Sequence, residues 1–490
     1  MTLTYATPPN PIELTTMEYT LMENSLFQQT APLYQAAQSS SLFQTLQSLY
    51  QEMGFPSQKL EAYKYVPTTS MGRLHTTPAP QLETVNMPIS WQLSPDLAQA
   101  RTLVFINGVM SPIESTLISD PIEGVSLTPW KNTLPEDGLI EASQSSTDAM
   151  ERLSLATLSD GLTLTVSSDV SVQPVIHVLF VEQADDTACQ TTDKASNQTS
   201  GQDTPQQEQP LTPPPKVSYS AGRLHINAQE GSQAHVMVHT LATTPAATMA
   251  NHSIQLNAKS NSQVHLTLNQ HTVSNHWQFM AAHAHVEEHA CATLTTLGTG
   301  HGHNRLHLSA HIHGSSAHLE HNGTTVMSQQ GRQWLHSEIH HHAPEATSNQ
   351  HVKALLQDQS RHDFDAVIVV DQPAQLTDAK QLNNNLLLSD SARAYARPQL
   401  RIHADDVKCA HGATVGQLDD DALFYMQSRG LNTELAQCLL TYGFASEPMQ
   451  KVASPLIKQW TNQHLLVALG QQESPMGCLM DCNTCHGDEE

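Results

Sequence analysis

The chain has few aromatic residues, few basic residues and no long apolar run. Aromatic residues make up 5% of its 490 positions, and 47 Asp and Glu outnumber 22 Lys and Arg, which gives a formal net charge of −25. An acidic surface repels phosphate groups, so the sequence predicts no nucleic-acid partner. No window approaches the roughly 18 consecutive apolar residues of a membrane-spanning helix, so no membrane partner is predicted either.

The sequence also lacks the motifs of common catalytic sites. It contains no G-x-x-x-x-G-K-[ST], no G-x-S-x-G and no H-E-x-x-H, which predicts that this chain binds no nucleotide itself and is not an enzyme. The first 14 residues lack the basic start and apolar run of a signal peptide, which predicts a cytoplasmic location. The seven cysteines are then expected to be thiols or metal ligands rather than a disulfide framework.

Three patterns follow one another along the chain. Apolar residues spaced three and four apart predict an N-terminal helical domain over residues 1–85. Short alternating strands, with a hairpin turn at Asn107-Gly108, predict a mainly β core over residues 86–416. Residues 184–216 are rich in Thr, Gln, Ser and Pro, which predicts a disordered insertion within that core.

A unit of about 25 to 30 residues recurs from residue 217 to about residue 400. A small or apolar residue opens a short alternating strand in each unit, at Ala234, Val264, Ala292 and Ala317, and the pattern returns at Phe364 and Ala394. A β-sandwich would also show short strands at intervals, but not this recurring residue at each strand entry. The period therefore favours a β-helix or another β-solenoid.

Helical periodicity returns after Gly416 and predicts a C-terminal domain of three helices over residues 417–470. The acidic residues Asp419, Asp420 and Asp421 suit a first helical turn. The other start and stop signals are Arg429 with Gly430, Asn432 or Thr433, Ser454 with Pro455, and Gly470. The remaining residues, 471–490, are expected to form a flexible Cys-rich tail.

Histidine is in excess, with 29 residues in all. The pairs His283/His285, His301/His303 and His311/His313 each place two imidazoles on one face of a strand, as metal ions can use. No carboxylate or cysteine accompanies these pairs at a fixed spacing. The sequence therefore favours polar positions on the outer faces of the coils, with adventitious zinc or nickel binding, and a His-rich metal-binding protein stays an alternative function.

Two groups of cysteine and histidine have ligand chemistry. Cys409 and His411 share one strand face where a sheet ends; the alternative is a buried thiol beside a capping imidazole. The tail carries three thiols and an imidazole at short spacing, which could hold zinc or an iron–sulfur cluster: Cys478, Cys482, Cys485 and His486. The alternative for the tail is an exposed segment with incidental thiols.

The segment that contains Cys409 and His411 carries a family resemblance. Its motifs are Ala404-Asp-Asp-Val-Lys-Cys-Ala-His-Gly-Ala-Thr-Val-Gly416, Leu423-Phe-Tyr425 and Ser428-Arg-Gly430, preceded by FDAVIVVDQPAQLTDAKQLNNNLLLSDSARA at residues 364–394. These motifs resemble the SufB/SufD family of the SUF iron–sulfur cluster assembly machinery, and its SufD branch more than SufB. The resemblance is dense over residues 335–447 and sparse elsewhere, and the family as a rule lacks the 184–216 insertion and the Cys-rich tail.

The resemblance implies a right-handed parallel β-helix between N- and C-terminal helical domains. It implies a non-enzymatic scaffold subunit that pairs with SufB through the end of its β-helix. A transient iron–sulfur cluster would form at that interface with His411 as a ligand and Cys409 beside it. A homodimer and a carbohydrate-active β-helix enzyme stay as alternatives, although the sequence shows no converging carboxylates for the latter.

The same resemblance implies that the C-terminal helices dock the SufC ATPase. The residues that it places on this docking surface are Phe424, Tyr425, Arg429, Gly430, Leu435, Leu439 and Phe444.

Overall fold

The computed structural model describes residues 26–27, 32–36, 39–85, 100–184 and 216–470. Residues 185–215 of the expected insertion and all of the expected tail, including its four candidate ligands, lie outside this part. The helices of the described part are α1 (Pro32–Ala36), α2 (Ser40–Met53), α3 (Thr68–Gly72), α4 (Thr116–Ser119), α5 (Glu136–Ser145), α6 (Ala149–Ala156), α7 (Asp420–Ser428), α8 (Thr433–Ser446) and α9 (Pro455–Ala468), with 3-10 turns at Glu61–Tyr63 and Pro448–Lys451.

The strands of the described part lie in two long sheets, and from β8 onward they alternate between them. They are β1 (His75–Pro78), β2 (Arg101–Ile106), β3 (Val109–Ser111), β4 (Val125–Pro129), β5 (Asp160–Val166), β6 (Ile176–Glu182), β7 (Lys216–Ser220), β8 (Gly222–Ala228), β9 (Gln233–Ala242), β10 (Thr248–Ala258), β11 (Gln263–Thr272), β12 (His276–Val286), β13 (Cys291–Gly300), β14 (His303–Ile312), β15 (His318–Met327), β16 (Arg332–His341), β17 (Thr347–Leu356), β18 (Arg361–Val370), β19 (Asp378–Leu387), β20 (Arg393–Ile402) and β21 (Lys408–Gly416).

Sheet A runs in the order β20-β18-β16-β14-β12-β10-β8-β5-β4, and sheet B in the order β21-β19-β17-β15-β13-β11-β9-β6-β2-β3. From β8 onward each strand pairs in parallel with the strand two further along the chain, so the backbone winds through about seven coils. The predicted β-solenoid is therefore confirmed. The predicted hairpin is confirmed too, since Asn107 and Gly108, both at positive φ, join β2 to the antiparallel β3.

The predicted repeat identifies the solenoid correctly, but part of its strand register is wrong. Ala234, Val264 and Ala292 do pair with one another across sheet B, yet Ala292 pairs with Leu319 and not with Ala317. The later repeat positions Phe364 and Ala394 lie on sheet A instead, on β18 and β20. Because each coil contains one strand in each sheet, two similar strand entries in one coil are easily confused from sequence.

The same turn shape recurs where each coil passes from sheet A to sheet B. One residue of each turn has a left-handed backbone: Asn261, His289, Ser316, Glu345 and Leu376, with φ between 55° and 62°. Asparagine and histidine are enriched in this conformation, whereas serine, glutamate and leucine are rarely found in it. In each turn this residue's backbone N–H donates to a carbonyl of the next coil, so the stacked backbone holds the shape.

The N-terminal helices cover part of the outer face of sheet A. They are joined there by α5 and α6, which the sequence analysis did not predict and which pack with α2 in one apolar cluster. Buried ion pairs fix α6 to the sheet: Glu151 contacts Arg223 at 3.3 Å, and Asp148 contacts Arg305. Tyr63 Oη donates to Asp148 Oδ1 at 2.7 Å.

The C-terminal helices α8 and α9 lie along the outer face of sheet B. Thr324 Oγ1 of β15 donates to the carbonyl of Ala445 at 2.8 Å, and the Trp460 ring meets the His239 ring of β9 edge-on at 4.9 Å between centroids.

The starts of the three C-terminal helices agree with the sequence analysis in part. Ser454 caps α9 as predicted. Of the two candidates for the start of α8, Asn432 is the cap and Thr433 is the first helical residue. Asp419 caps α7 and does not lie in its first turn, which holds Asp420 and Asp421. No helix in the described ranges is long and apolar enough to cross a membrane.

Candidate functional site

The last two strands, β20 and β21, end sheets A and B at the same end of the solenoid. Each pairs on one side only, with β18 and β19, and among the described residues no strand covers the other side. None of the residues of β21 is buried. A long strand with an unpaired row of N–H and C=O groups is a template for pairing with another chain. We call this surface the open end.

Cys409 and His411 both lie on β21 and occupy inward positions of the solenoid. In the parallel register Cys409 stands over Ala379 and His411 over Gln381, and both of these partners are buried. Since side chains on a strand alternate between faces, the sequence-based placement of the two on one face is confirmed. His411 itself is exposed because no further coil covers it.

A column of buried polar side chains lies beneath His411. Gln381, Gln350 and His321 occupy the same inward position in the three preceding strands of sheet B. Gln381 Nε2 donates to Gln350 Oε1 at 2.8 Å, and Gln350 Nε2 lies 2.8 Å from His321 Nδ1. Burial lowers the pKa of His321 to about 4, so its imidazole is neutral at pH 7. The side-chain amide oxygen of Gln381, Oε1, is buried and accepts no hydrogen bond.

The sequence analysis missed this column. Its signal is present, because the three residues precede His411 by one, two and three coils. Finding it needs the correct register, however, and the sequence-based register slips between Ala292 and Ala317.

Cys409 is held differently from its neighbour. Its side chain is half-buried and packs against the apolar interior of the solenoid. Burial raises the pKa of the Cys409 thiol, so the group is protonated at neutral pH. A protonated thiol is a weak nucleophile and a poor ligand. In the isolated chain, His411 is therefore more readily available as a metal ligand than Cys409.

The expected ATPase-docking residues divide into two groups. Helix α7 buries none of its residues, and Phe424 and Tyr425 on it are 71% and 58% exposed. The Arg429 guanidinium lies over the Tyr425 ring at 5.2 Å, and Gly430 closes the helix at φ 92°.

The second group lies on α8, closer to the solenoid. Leu435 and Leu439 are half-buried. Phe444 packs against the apolar cluster that joins α8 and α9 to sheet B, with the Lys353 ammonium 4.4 Å from its ring centre. Phe444 thus holds α8 to its own chain.

A histidine-rich cleft of about 730 Å³ lies on the outer face of sheet A, beside α5 and α6. Its strand histidines His285 and His311 point away from the solenoid interior, which confirms their predicted outer position. Burial, followed by neighbouring imidazoles, lowers the pKa of His285 to about 4 and that of His311 to about 3. The sequence showed no carboxylate at a fixed spacing from these pairs, yet the fold brings Asp371 to within 2.7 Å of His342.

Comparison with known proteins adds a second line of information. The family model described as "SUF system FeS cluster assembly, SufBD core domain" matches residues 213–444, from the start of the coils into α8. The iron–sulfur cluster assembly protein SufD of Escherichia coli is 31% identical over 263 residues, which is 52% of this chain and 60% of that protein.

Two further relatives match shorter stretches. An iron–sulfur cluster assembly SufBD family protein of Synechocystis is 44% identical over 117 residues, or 24% of this chain and 26% of the relative. SufD of Bacillus subtilis is 32% identical over 105 residues, or 21% of this chain and 24% of the relative. The chain thus spans less than two thirds of the length of each of these three relatives.

Proposed function

We propose that this chain, which matches the SufBD core model over residues 213–444, is a SufBD-family protein and a non-enzymatic scaffold subunit on which an iron–sulfur cluster is assembled. The observation that carries the proposal is the open end, where two long strand edges stand unpaired and His411 occupies the inward position of the last strand. The relatives' names describe assembly proteins, which supports a scaffold role.

The partner at the open end is SufB, which belongs to the same family. Main-chain hydrogen bonds along β20 and β21 would join the two proteins as an added strand joins a sheet edge. Apolar side chains at these edges add area to such an interface: Tyr395, Ile402 and Val415 are all exposed. A second copy of this chain is the alternative occupant of the same edges.

His411 contributes one ligand to a cluster that is cargo of the complex. A single imidazole does not hold an iron–sulfur cluster, so the remaining ligands come from the partner, with cysteine as the usual type. The proposed role of the buried Gln–Gln–His column is to support the inward position that His411 occupies. Cys409 is available as a further ligand once a metal ion lowers the pKa of its thiol.

The SufC ATPase docks on α7 and the exposed side of α8. Exposed Phe424 and Tyr425, with Arg429 beside them, have the composition of an interface hot spot. Gly430, Leu435 and Leu439 continue this surface, and Phe444 supports it from below. Movement of α8 would reach the solenoid through its contact with β15 and β17.

Co-expression with a SufB-like and a SufC-like protein tests the proposal. We expect the three chains to purify together and to carry iron and sulfide after anaerobic isolation. His411→Ala should leave association intact and lower the iron and sulfide content several-fold. His403→Ala, an equally exposed histidine in the turn after β20, serves as the control and should change neither.

Two outcomes would contradict different parts of the proposal. Failure of the chains to associate, with this chain alone sedimenting as a dimer, would assign the open end to a second copy. Unchanged iron and sulfide in His411→Ala would remove His411 as a ligand while leaving the scaffold role in place.

A further inference from the structure

Six polar side chains form a small grid at one edge of the histidine-rich cleft. His285, His311 and His340 stand in register on the neighbouring strands β12, β14 and β16. Two residues further along the same face, His313 and His342 follow β14 and β16 in the same way, and Asp371 follows β18. Neighbouring strands are about 4.8 Å apart, so each imidazole faces another at close range.

The ring nitrogens of this grid approach one another closely. His311 Nδ1 lies 3.0 Å from His342 Nε2, and His285 Nδ1 lies 3.4 Å from His313 Nε2. His311, His313 and His342 each offer one nitrogen, and these three nitrogens lie within 4.8 Å of one another. Two nitrogens bound to one tetrahedral ion at about 2.0–2.1 Å are themselves roughly 3.3 Å apart. The two close pairs, at 3.0 and 3.4 Å, are therefore near the separation that a shared ion imposes.

Asp371 sets the direction in which His342 presents its lone pair. His342 Nδ1 lies 2.7 Å from Asp371 Oδ2, and in the tautomer whose Nδ1 donates to this carboxylate the lone pair of Nε2 faces His311. A carboxylate behind a histidine in this way is the usual support of a metal-binding imidazole, because it fixes both tautomer and ring orientation. Without an ion, the Nδ1–H of His311 fills the gap by donating to His342 Nε2.

We propose that His285, His311, His313 and His342 bind one divalent transition-metal ion, with Asp371 as the positioning carboxylate. Imidazole ligands suit zinc, iron, copper and nickel and disfavour magnesium and calcium. The ion would take the place of the proton between His311 and His342. That proton moves through solvent to His311 Nε2, so the ring stays neutral, and Ser309 Oγ lies 3.2 Å from that nitrogen. His313 is exposed at the rim, so the ion has a path from solvent. The site lies on the outer face of sheet A and does not depend on the open end.

A second group in the same region, His307, His336 and Glu338, has ligand chemistry but is already occupied by its own hydrogen bonds. His336 Nε2 lies 2.9 Å from Glu338 and Nδ1 lies 3.1 Å from Asp365. Burial acts to lower the pKa of His336, but these two carboxylates together raise it above its ordinary value. Both ring nitrogens are thus committed, and the group carries no metal site.

Titration with Co²⁺ tests the proposal, since Co²⁺ reports its ligands through visible absorption. The full chain is first stripped with a chelator. We expect one Co²⁺ per chain at micromolar or tighter affinity, with bands of nitrogen ligation. His311→Ala and His342→Ala should each weaken Co²⁺ binding at least about tenfold. His313 lies at the exposed rim, so His313→Ala should weaken binding similarly and replaces either of the first two variants if that variant does not fold.

The matched control is His265→Ala on the opposite sheet. His235 and His265 are also stacked imidazoles on adjacent strands, with ring centroids 4.6 Å apart, but no third imidazole joins them among the described residues. This variant should bind Co²⁺ as the parent does. The tail thiols are separated by repeating the titration with Cys478, Cys482 and Cys485 replaced by Ser in the full chain, which should leave the nitrogen-ligated ion bound.

Asp371→Asn tests the positioning role. We expect a loss of about tenfold in Co²⁺ affinity, with the thermal unfolding midpoint of the metal-free chain unchanged because Asp371 lies at the surface. The proposal is overturned if no Co²⁺ binds at one equivalent, if His311→Ala and His342→Ala bind as well as the parent, or if binding disappears with the tail thiols.

Discussion

The first and last coils of the solenoid share one backbone path but differ in what fills and covers them. In the first coils the inward column that leads to His411 is apolar, at Val236, Leu266 and Leu294, and the short antiparallel strands β3 and β4 finish both sheets. In the last coils the same column is polar, and the outer edges of β20 and β21, strands of ten and nine residues, have no strand partner among the described residues. Short antiparallel strands close one end of the solenoid, whereas the other end exposes strand edges that can pair with another chain.

Acidification should destabilise the last coils. Burial lowers the pKa of His321 and of His362 to about 4, below the value of about 6.5 in an unfolded chain. The unfolded state therefore binds protons first as the pH falls, and stability present above pH 6.5 is lost progressively toward pH 4. At pH 5 each of these two residues should cost roughly 2 kcal/mol. Denaturant unfolding at pH 7 and pH 5 measures the loss.

Replacing both residues with Gln provides the control for this prediction. If the double variant loses as much stability between pH 7 and pH 5 as the parent does, other groups cause the acid sensitivity.

Truncation of a side chain should lower the free energy of unfolding by a similar amount in the first coils and by much less in the last coils. Ile254 is fully buried in the apolar first coils, and Ile254→Ala should lower the free energy of unfolding by about 2–5 kcal/mol. Val415 occupies an inward position of the last strand but is 51% exposed, so Val415→Ala should cost less than about 0.5 kcal/mol. Equal losses in chemical denaturation would mean that the open end is packed as tightly as the closed one.

The smallest of these effects is expected in the polar column. Gln381→Leu removes the donor to Gln350 Oε1 and leaves that buried oxygen unpaired, at a cost of about 1–3 kcal/mol. It also places an apolar side chain beneath His411, so cluster content in the complex should fall even where the chain is folded. Iron and sulfide analysis beside an unfolding curve separates the two effects. Normal cluster content in a folded variant would show that the column does not position His411.

The sequence predicted the features that depend on interactions between residues close together in the chain. The caps at Asn432 and Ser454 act within one helical turn, so their side chains and the residues they bind are neighbours in sequence. The β-solenoid followed from a recurring strand entry in the same way. The resemblance noted over residues 335–447 overlaps the stretch that the SufBD core model matches, residues 213–444.

Register and tertiary proximity were beyond the sequence. The pairing of Ala292 with Leu319 depends on the length of a turn, and a two-residue error there hides the column under His411. His342 and Asp371 meet only because they follow neighbouring strands of sheet A. Helices α5 and α6 are short, and they are held by burial against the sheet rather than by their own periodicity.

The C-terminal helices span a defined part of the solenoid. They contact β15 through Ala445 and reach back to β9 through Trp460, so the span between these contacts corresponds to a set number of coils. Adding or removing one coil between them would shift one contact by about 4.8 Å, roughly one strand spacing. Related chains that keep both helix contacts should therefore keep the same number of coils between β9 and β15 and vary in length at their turns.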